Sequence, residues 1–83
     1  MENIKISYQD IAYRNGSETL FMWYNGKNVT NWEAKDGILL AWSVMSAYDE
    51  SSKHHIIPVG LVQMNVDQQI RIVPSNRISI KNQ

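Results

Sequence analysis

Polar and apolar positions along the chain fall into short stretches of β-type pattern separated by turn residues. Ile4-Lys5-Ile6-Ser7-Tyr8 alternates with the period of a strand that buries one face. Tyr8 to Arg14 also fits a short helix. Two Asn-Gly pairs, Asn15-Gly16 and Asn25-Gly26, supply the positive φ angles that tight hairpin turns require. They bracket Thr19-Leu20-Phe21-Met22-Trp23-Tyr24, whose aromatic content suits a pleated, largely buried strand. A following strand is predicted over Lys27 to Ala34, and Asp36-Gly37 marks the next turn.

The run from Ile38 to Tyr48 is apolar almost throughout and admits two readings. As a strand it separates a large-residue face (Ile38, Leu40, Trp42, Val44, Tyr48) from a smaller one (Leu39, Ala41, Ser43, Met45, Ala47). As a helix it would leave Leu40, Val44 and Ala47 stranded opposite the face of Ile38, Ala41, Trp42, Met45 and Tyr48. The strand is the better fit. Asp49 to His55 reads as a polar loop, and Ile56 to Val66 as a strand bent or bulged at Pro58 and Gly60. Asp67-Gln68 is a turn, Gln69 to Val73 a strand, Pro74-Ser75-Asn76 a tight turn and Ile78-Ser79-Ile80 a last strand. The whole, residues 1–83, is expected to be one mainly β domain, a small antiparallel barrel or sandwich; the alternative is an α+β fold with a helix at 38–50.

Composition narrows the function classes. The 83 residues contain no cysteine, which excludes disulfides, thiolate metal sites and cysteine nucleophiles. Eight basic residues against eight acidic give zero net charge, which disfavours the counterion-release binding of a basic nucleic-acid domain. Zero net charge also favours self-association, so the pattern leans towards a homo-oligomer. The start Met1-Glu2-Asn3-Ile4 lacks the basic and apolar regions of a signal peptide, and no segment approaches the roughly 20 apolar residues of a membrane span, so a cytoplasmic protein that does not enter a membrane is expected.

The closing segment Arg71-Ile72-Val73-Pro74-Ser75-Asn76-Arg77-Ile78 resembles the end of small SH3-like and Sm-like barrels, in which a strand, a Pro-Ser turn of 3₁₀ type and a last strand close the barrel. Asn25-Gly26 after an aromatic run, the Lys53-His54 pair and the Val73-Pro74-Ser75 ending are also similar to the bacterial Sm-like RNA chaperones, a likeness that implies RNA binding. In that family the Lys-His pair directly precedes the closing strand, whereas here some twenty residues intervene. The turn that often carries an Arg-Gly contact in Sm-like proteins reads Asp67-Gln68-Gln69 here, an acid and two amides in place of a cation.

Candidate chemistry is sparse. Tyr48 to His55 crowds acids, hydroxyls and imidazoles together, but it lacks a nucleophile elbow, and adjacent histidines in an extended chain point to opposite faces and do not share a metal. No phosphate-binding loop, dinucleotide fingerprint or His-Glu-x-x-His pattern is present, so neither catalysis nor a cofactor is expected. The candidate binding residues are Tyr24 and Trp32 beside the Asn25-Gly26 turn, Lys53, His54 and His55 in the polar loop, and Arg71, Asn76 and Arg77 around Pro74. Phe21, Trp23 and Trp42 are assigned to the core. A non-enzymatic binding module follows: a protein-interaction element, such as an adaptor or inhibitor of another protein, or alternatively a small β-barrel that binds nucleic acid or a nucleotide.

Overall fold

A computed structural model describes residues 3–81. Among these, five antiparallel strands form one sheet in the order β4-β3-β2-β1-β5. The strands are β1 (Ile4–Ile11), β2 (Trp32–Tyr48), β3 (His54–Met64), β4 (Ile70–Pro74) and β5 (Ile78–Ile80), with one helix, α1 (Leu20–Asn25), between β1 and β2. The fold is mainly β.

The two edge strands, β4 and β5, are joined by only three residues, the 3₁₀ turn Ser75–Arg77. In a flat sheet they would lie roughly 19 Å apart, a gap that a 3₁₀ turn rising about 2 Å per residue does not span. The sheet is therefore rolled. Inside it pack Ile6, Tyr8, Leu39, Val62 and Val73, with Ile11 and Trp23 at the end that α1 covers. Ile6, Val62 and Val73 are wholly removed from water, each contributing about 1.5–3 kcal/mol of transfer free energy.

Residues Ile38 to Tyr48 are strand, and with them falls the α+β alternative of a helix at 38–50. β1 likewise runs extended through Ile11, which overturns a short helix from Tyr8 to Arg14. Three further expectations are corrected. First, Thr19 to Tyr24 is not a strand. Thr19 is an N-cap, with extended backbone and its Oγ1 accepting from the Met22 N–H at 3.2 Å. Gly26 closes the helix with φ 71° and its N–H on the Met22 carbonyl at 2.8 Å. The positive φ read from Asn25-Gly26 is real, but it ends a helix instead of turning a hairpin.

Second, the strand expected over Lys27 to Ala34 begins only at Trp32. Third, Asp36-Gly37 is not a turn. It lies inside β2, where Gly37 faces Ile6 and Met64 across its two neighbours. A Cβ at Gly37 would stand 2.6 Å from Val62 Cγ1 and 2.8 Å from the Gln63 carbonyl, so the glycine permits close strand packing. The irregularity expected near Pro58 and Gly60 is carried by β2, as a bulge between Leu39 and Ala41.

That bulge divides the molecule. Up to Leu39, β2 pairs with β1 on one side and β3 on the other; beyond it, β2 keeps only β3. β4 pairs with β3 only from Val59 onward. Val44 to Tyr48 and His54 to Pro58 thus continue as a two-stranded ribbon, closed by Asp49 to Lys53 and with Ala41 to Ser43 opposite Val59 to Leu61 at its base, in a molecule 42 Å long and about half as wide.

Candidate functional site

The ribbon has two unlike faces, because directly opposed residues of an antiparallel pair point the same way. One face carries Met45 opposite Ile57, Ala47 opposite His55 and Ser43 opposite Val59. It is turned towards α1: Phe21 lies against the His55 ring at 4.7 Å, and Ile57 and Val59 are fully buried. Met45 also joins Arg14, Leu20, Trp23, Arg71 and Ile72 in lining a shallow groove of about 290 Å³.

The other face carries Trp42 opposite Gly60, Val44 opposite Pro58, Ser46 opposite Ile56 and Tyr48 opposite His54. It is open to solvent. Trp42 is 54% exposed, Val44 61%, Tyr48 63% and Ile56 58%. Tyr48 and His54 pack ring to ring at 5.4 Å at the far end. From Gly37 to Tyr48 the chain contains no charged residue. Trp42 is therefore not core, and Phe21 is only half-buried; of the three aromatics assigned to the interior, Trp23 alone lies there. Trp42 comes after the bulge, where β2 is paired with β3 alone.

The predicted binding residues divide into three places. Tyr24, Trp32, Asn76 and Arg77 meet at the C-terminal end of α1. Asn76 donates to the Tyr24 carbonyl at 2.9 Å, and Arg77 donates through Nε to the Trp23 carbonyl at 3.0 Å and through Nη2 to the Tyr24 carbonyl at 3.1 Å. Its guanidinium lies 4.4 Å from the centre of the Trp32 ring. These contacts tether the 3₁₀ turn to the helix by satisfying its last carbonyls. Tyr24 and Trp32 are half-buried beside a helix cap, not on a hairpin rim.

Lys53 ends the turn of the ribbon, whereas His54 and His55, expected in the polar loop, are the first two residues of β3 and pair with Tyr48 and Ala47. Asp49 organises that turn: Oδ1 accepts from the Ser51 and Lys53 N–H groups at 2.8 and 2.9 Å, and Oδ2 contacts His55 Nε2 at 2.8 Å. These bonds, from His55 first and then Lys53, hold the Asp49 carboxyl below its ordinary pKa. His54 and His55 face opposite sides of the ribbon, and no group of three or more metal-ligand side chains comes together among the described residues.

Arg71 belongs to a third place that the sequence reading missed. Asp10, 1% exposed, accepts from Arg14 Nη2 at 2.7 Å, Lys35 Nζ at 2.8 Å, Arg71 Nη1 at 2.7 Å and the Ile11 N–H at 2.8 Å. Burial pushes the Asp10 carboxyl up, but the hydrogen bonds from Lys35 and Arg14 and the charge of Arg71 outweigh it and hold the pKa below the usual value. Lys35 is raised in turn, chiefly by its bond to Asp10. The Arg14 and Arg71 guanidinium groups also lie 4.9 and 5.7 Å from the Trp23 ring centre. Beside them the buried Tyr8 hydroxyl finds no hydrogen-bond partner among the described residues, and burial raises its pKa. The cluster ties β1, β2 and β4 together, so its cations are committed to the fold. Nothing in the spacing of 10, 14, 35 and 71 announces it.

Comparison with protein-family models, with curated proteins and with solved structures finds no match for this chain. Among the described residues no helix is long and apolar enough to cross a membrane.

Proposed function

We propose that the protein is a non-enzymatic protein-interaction element, of adaptor or inhibitor type, that binds another protein through the exposed face of the ribbon. The observation that carries this reading is the contiguous set Trp42, Val44, Ile56 and Tyr48, left in water on a well-paired hairpin whose opposite face holds the buried Ile57 and Val59. Large exposed apolar patches mark association surfaces, and Trp and Tyr are the residues that concentrate energy in protein interfaces. The commitment of Arg71 and Arg77 to Asp10 and to the helix carbonyls also favours an apolar contact over an anionic ligand. The strand, 3₁₀ turn and closing strand over 70–80 support a likeness to SH3-like and Sm-like barrels; such architectures host many functions and do not select one.

The test compares the tagged protein with its Ile56→Lys variant, both purified from the cells that make them. A stoichiometric protein partner that stays bound from about 50 to about 200 mM salt, and is lost with Ile56→Lys, supports the reading. Bound nucleic acid that is released over the same salt range, and is indifferent to Ile56→Lys, would replace it with the nucleic-acid alternative.

A further inference from the structure

The ribbon has edges as well as faces. Strand β1 begins at Ile4, opposite Leu39, so among the described residues no strand pairs with the outer edge of β2 from Ala41 to Tyr48. A free strand edge offers a row of unpaired N–H and C=O groups to any other strand, and proteins usually protect it with charges, proline or shortness. The other edges here are protected in those ways. The free part of β3, His54 to Pro58, contains proline and follows Lys53; β4 has five residues with Arg71 and Pro74; β5 has three and is followed by Lys81. Among the described residues, of these edges only Ala41 to Tyr48 is long, uncharged and free of proline and glycine.

We infer that this edge pairs with the same edge of a second copy of the chain, across a two-fold axis that sets Val44 opposite Val44. The sequence is self-complementary in that register. Antiparallel pairing about Val44 places Trp42 against Ser46, Ser43 against Met45, Ala41 against Ala47 and Leu40 against Tyr48. On the open face Trp42 meets a small residue, and Met45 does so on the other. Pairing centred on Met45 would instead bring Trp42 against Tyr48 and Ala41 against the charged Asp49. No charge on the segment selects a foreign partner of opposite sign, and a net charge of zero leaves no long-range repulsion between copies. The product is a four-stranded sheet, with the two exposed faces joined side by side. This inference rests on the same ribbon as the interaction reading but uses its edge, not its face, so either can fail alone.

Sedimentation equilibrium on the order of 0.1 mM protein, where even a weak contact is populated, should give twice the 9.6 kDa chain mass. Val44→Lys and Val44→Glu each set like charges directly opposite across the axis and should each sediment as a monomer. An equimolar mixture of the two should recover the doubled mass. Ile56→Lys, on the other strand, should remain a dimer even if it loses a foreign partner. A monomeric wild type, a dimer that survives both Val44 changes, or a mixture that stays monomeric overturns the inference. Should either charge variant fail to fold, Val44→Cys in this cysteine-free chain serves instead. Mild oxidation should link it to itself, since directly opposed strand residues lie within disulfide reach, and Ile56→Cys should not link. Absence of the Val44→Cys cross-link overturns the inference as well.

Discussion

The rolled sheet around Asp10 and the ribbon beyond Leu39 are built from the same long strand, β2, yet they follow opposite rules. In the rolled part a charge is buried and every cation near it is used, so that β1, β2 and β4 are held by bonds that span 61 positions of sequence. Along β2 from Gly37 to Tyr48 no charge is spent at all; one face of the ribbon holds the buried Ile57 and Val59, and the other is left in water. The contrast shows where specificity has been invested. Charge pairing ties the strands of the rolled part together, and the apolar surface beyond it is carried outward into water.

Breaking the charge cluster should have the largest effect. Asp10→Ala leaves three cations converging on nothing, and removing one partner from a buried ion pair costs about 3–5 kcal/mol. Urea denaturation should register that loss across the rolled sheet. A loss under about 1 kcal/mol would mean that solvent carries the cations and that the barrel closes without them. The same cluster predicts an acid limb. The native Asp10 carboxyl titrates below its ordinary value near 3.8, so its stabilisation is complete above that pH and is lost as pH falls through the lower native value. Asp10→Asn should flatten this limb, and an unchanged acid transition would assign it elsewhere.

Two neighbours on the ribbon sharpen the comparison further. Ile57 is fully buried on one face of the ribbon and Ile56 is 58% exposed on the opposite face. Ile57→Ala should cost about 2–5 kcal/mol through the lost transfer and the cavity it leaves. Ile56→Ala should stay within about 0.5 kcal/mol, as exposed substitutions do. Similar losses at the two positions, measured by thermal or urea unfolding, would mean that both faces of the ribbon are packed in solution and that the open face is already covered.

Much of the rolled part was legible in the sequence and much of the ribbon's setting was not, for physical reasons that differ. Alternation in Ile4 to Tyr8 and in Ile78-Ser79-Ile80, and the turn at Pro74, are local signals that local structure obeys. Thr19 to Tyr24 defeated the same reasoning because a six-residue helix shows less than two turns of periodicity, and because Asn-Gly serves a helix end as well as a hairpin. Asp36-Gly37 misled because the glycine answers to Val62 and Gln63, some 25 residues away. Among the candidate site residues, Arg77 and Asn76 are already engaged as donors to the carbonyl end of α1. Trp42 was assigned to the core because an aromatic residue in an apolar run carries no mark of how much core is available to receive it.

A smaller loss than those at Asp10 and Ile57 tests the piece that joins the two regions. α1 covers the end of the rolled sheet with Trp23, whose Nε1 donates to the Gln9 carbonyl at 2.8 Å, and covers the ribbon with Phe21. Its start depends on Thr19. Thr19→Ala removes the oxygen that satisfies the Met22 N–H and should cost about 1 kcal/mol. The loss should not be shared evenly. Trp23 is anchored by its own hydrogen bond and by the Arg77 contacts at the far end of the helix, whereas Phe21 lies in the first turn, which frays when the cap is lost. Amide hydrogen exchange should therefore quicken in α1 and at the buried positions of the ribbon, Ile57 and Val59, while Ile6, Val62 and Val73 keep their protection. Equal acceleration in both sets would show that ribbon and rolled sheet unfold as one unit, and that the division at Leu39 is one of geometry and not of stability.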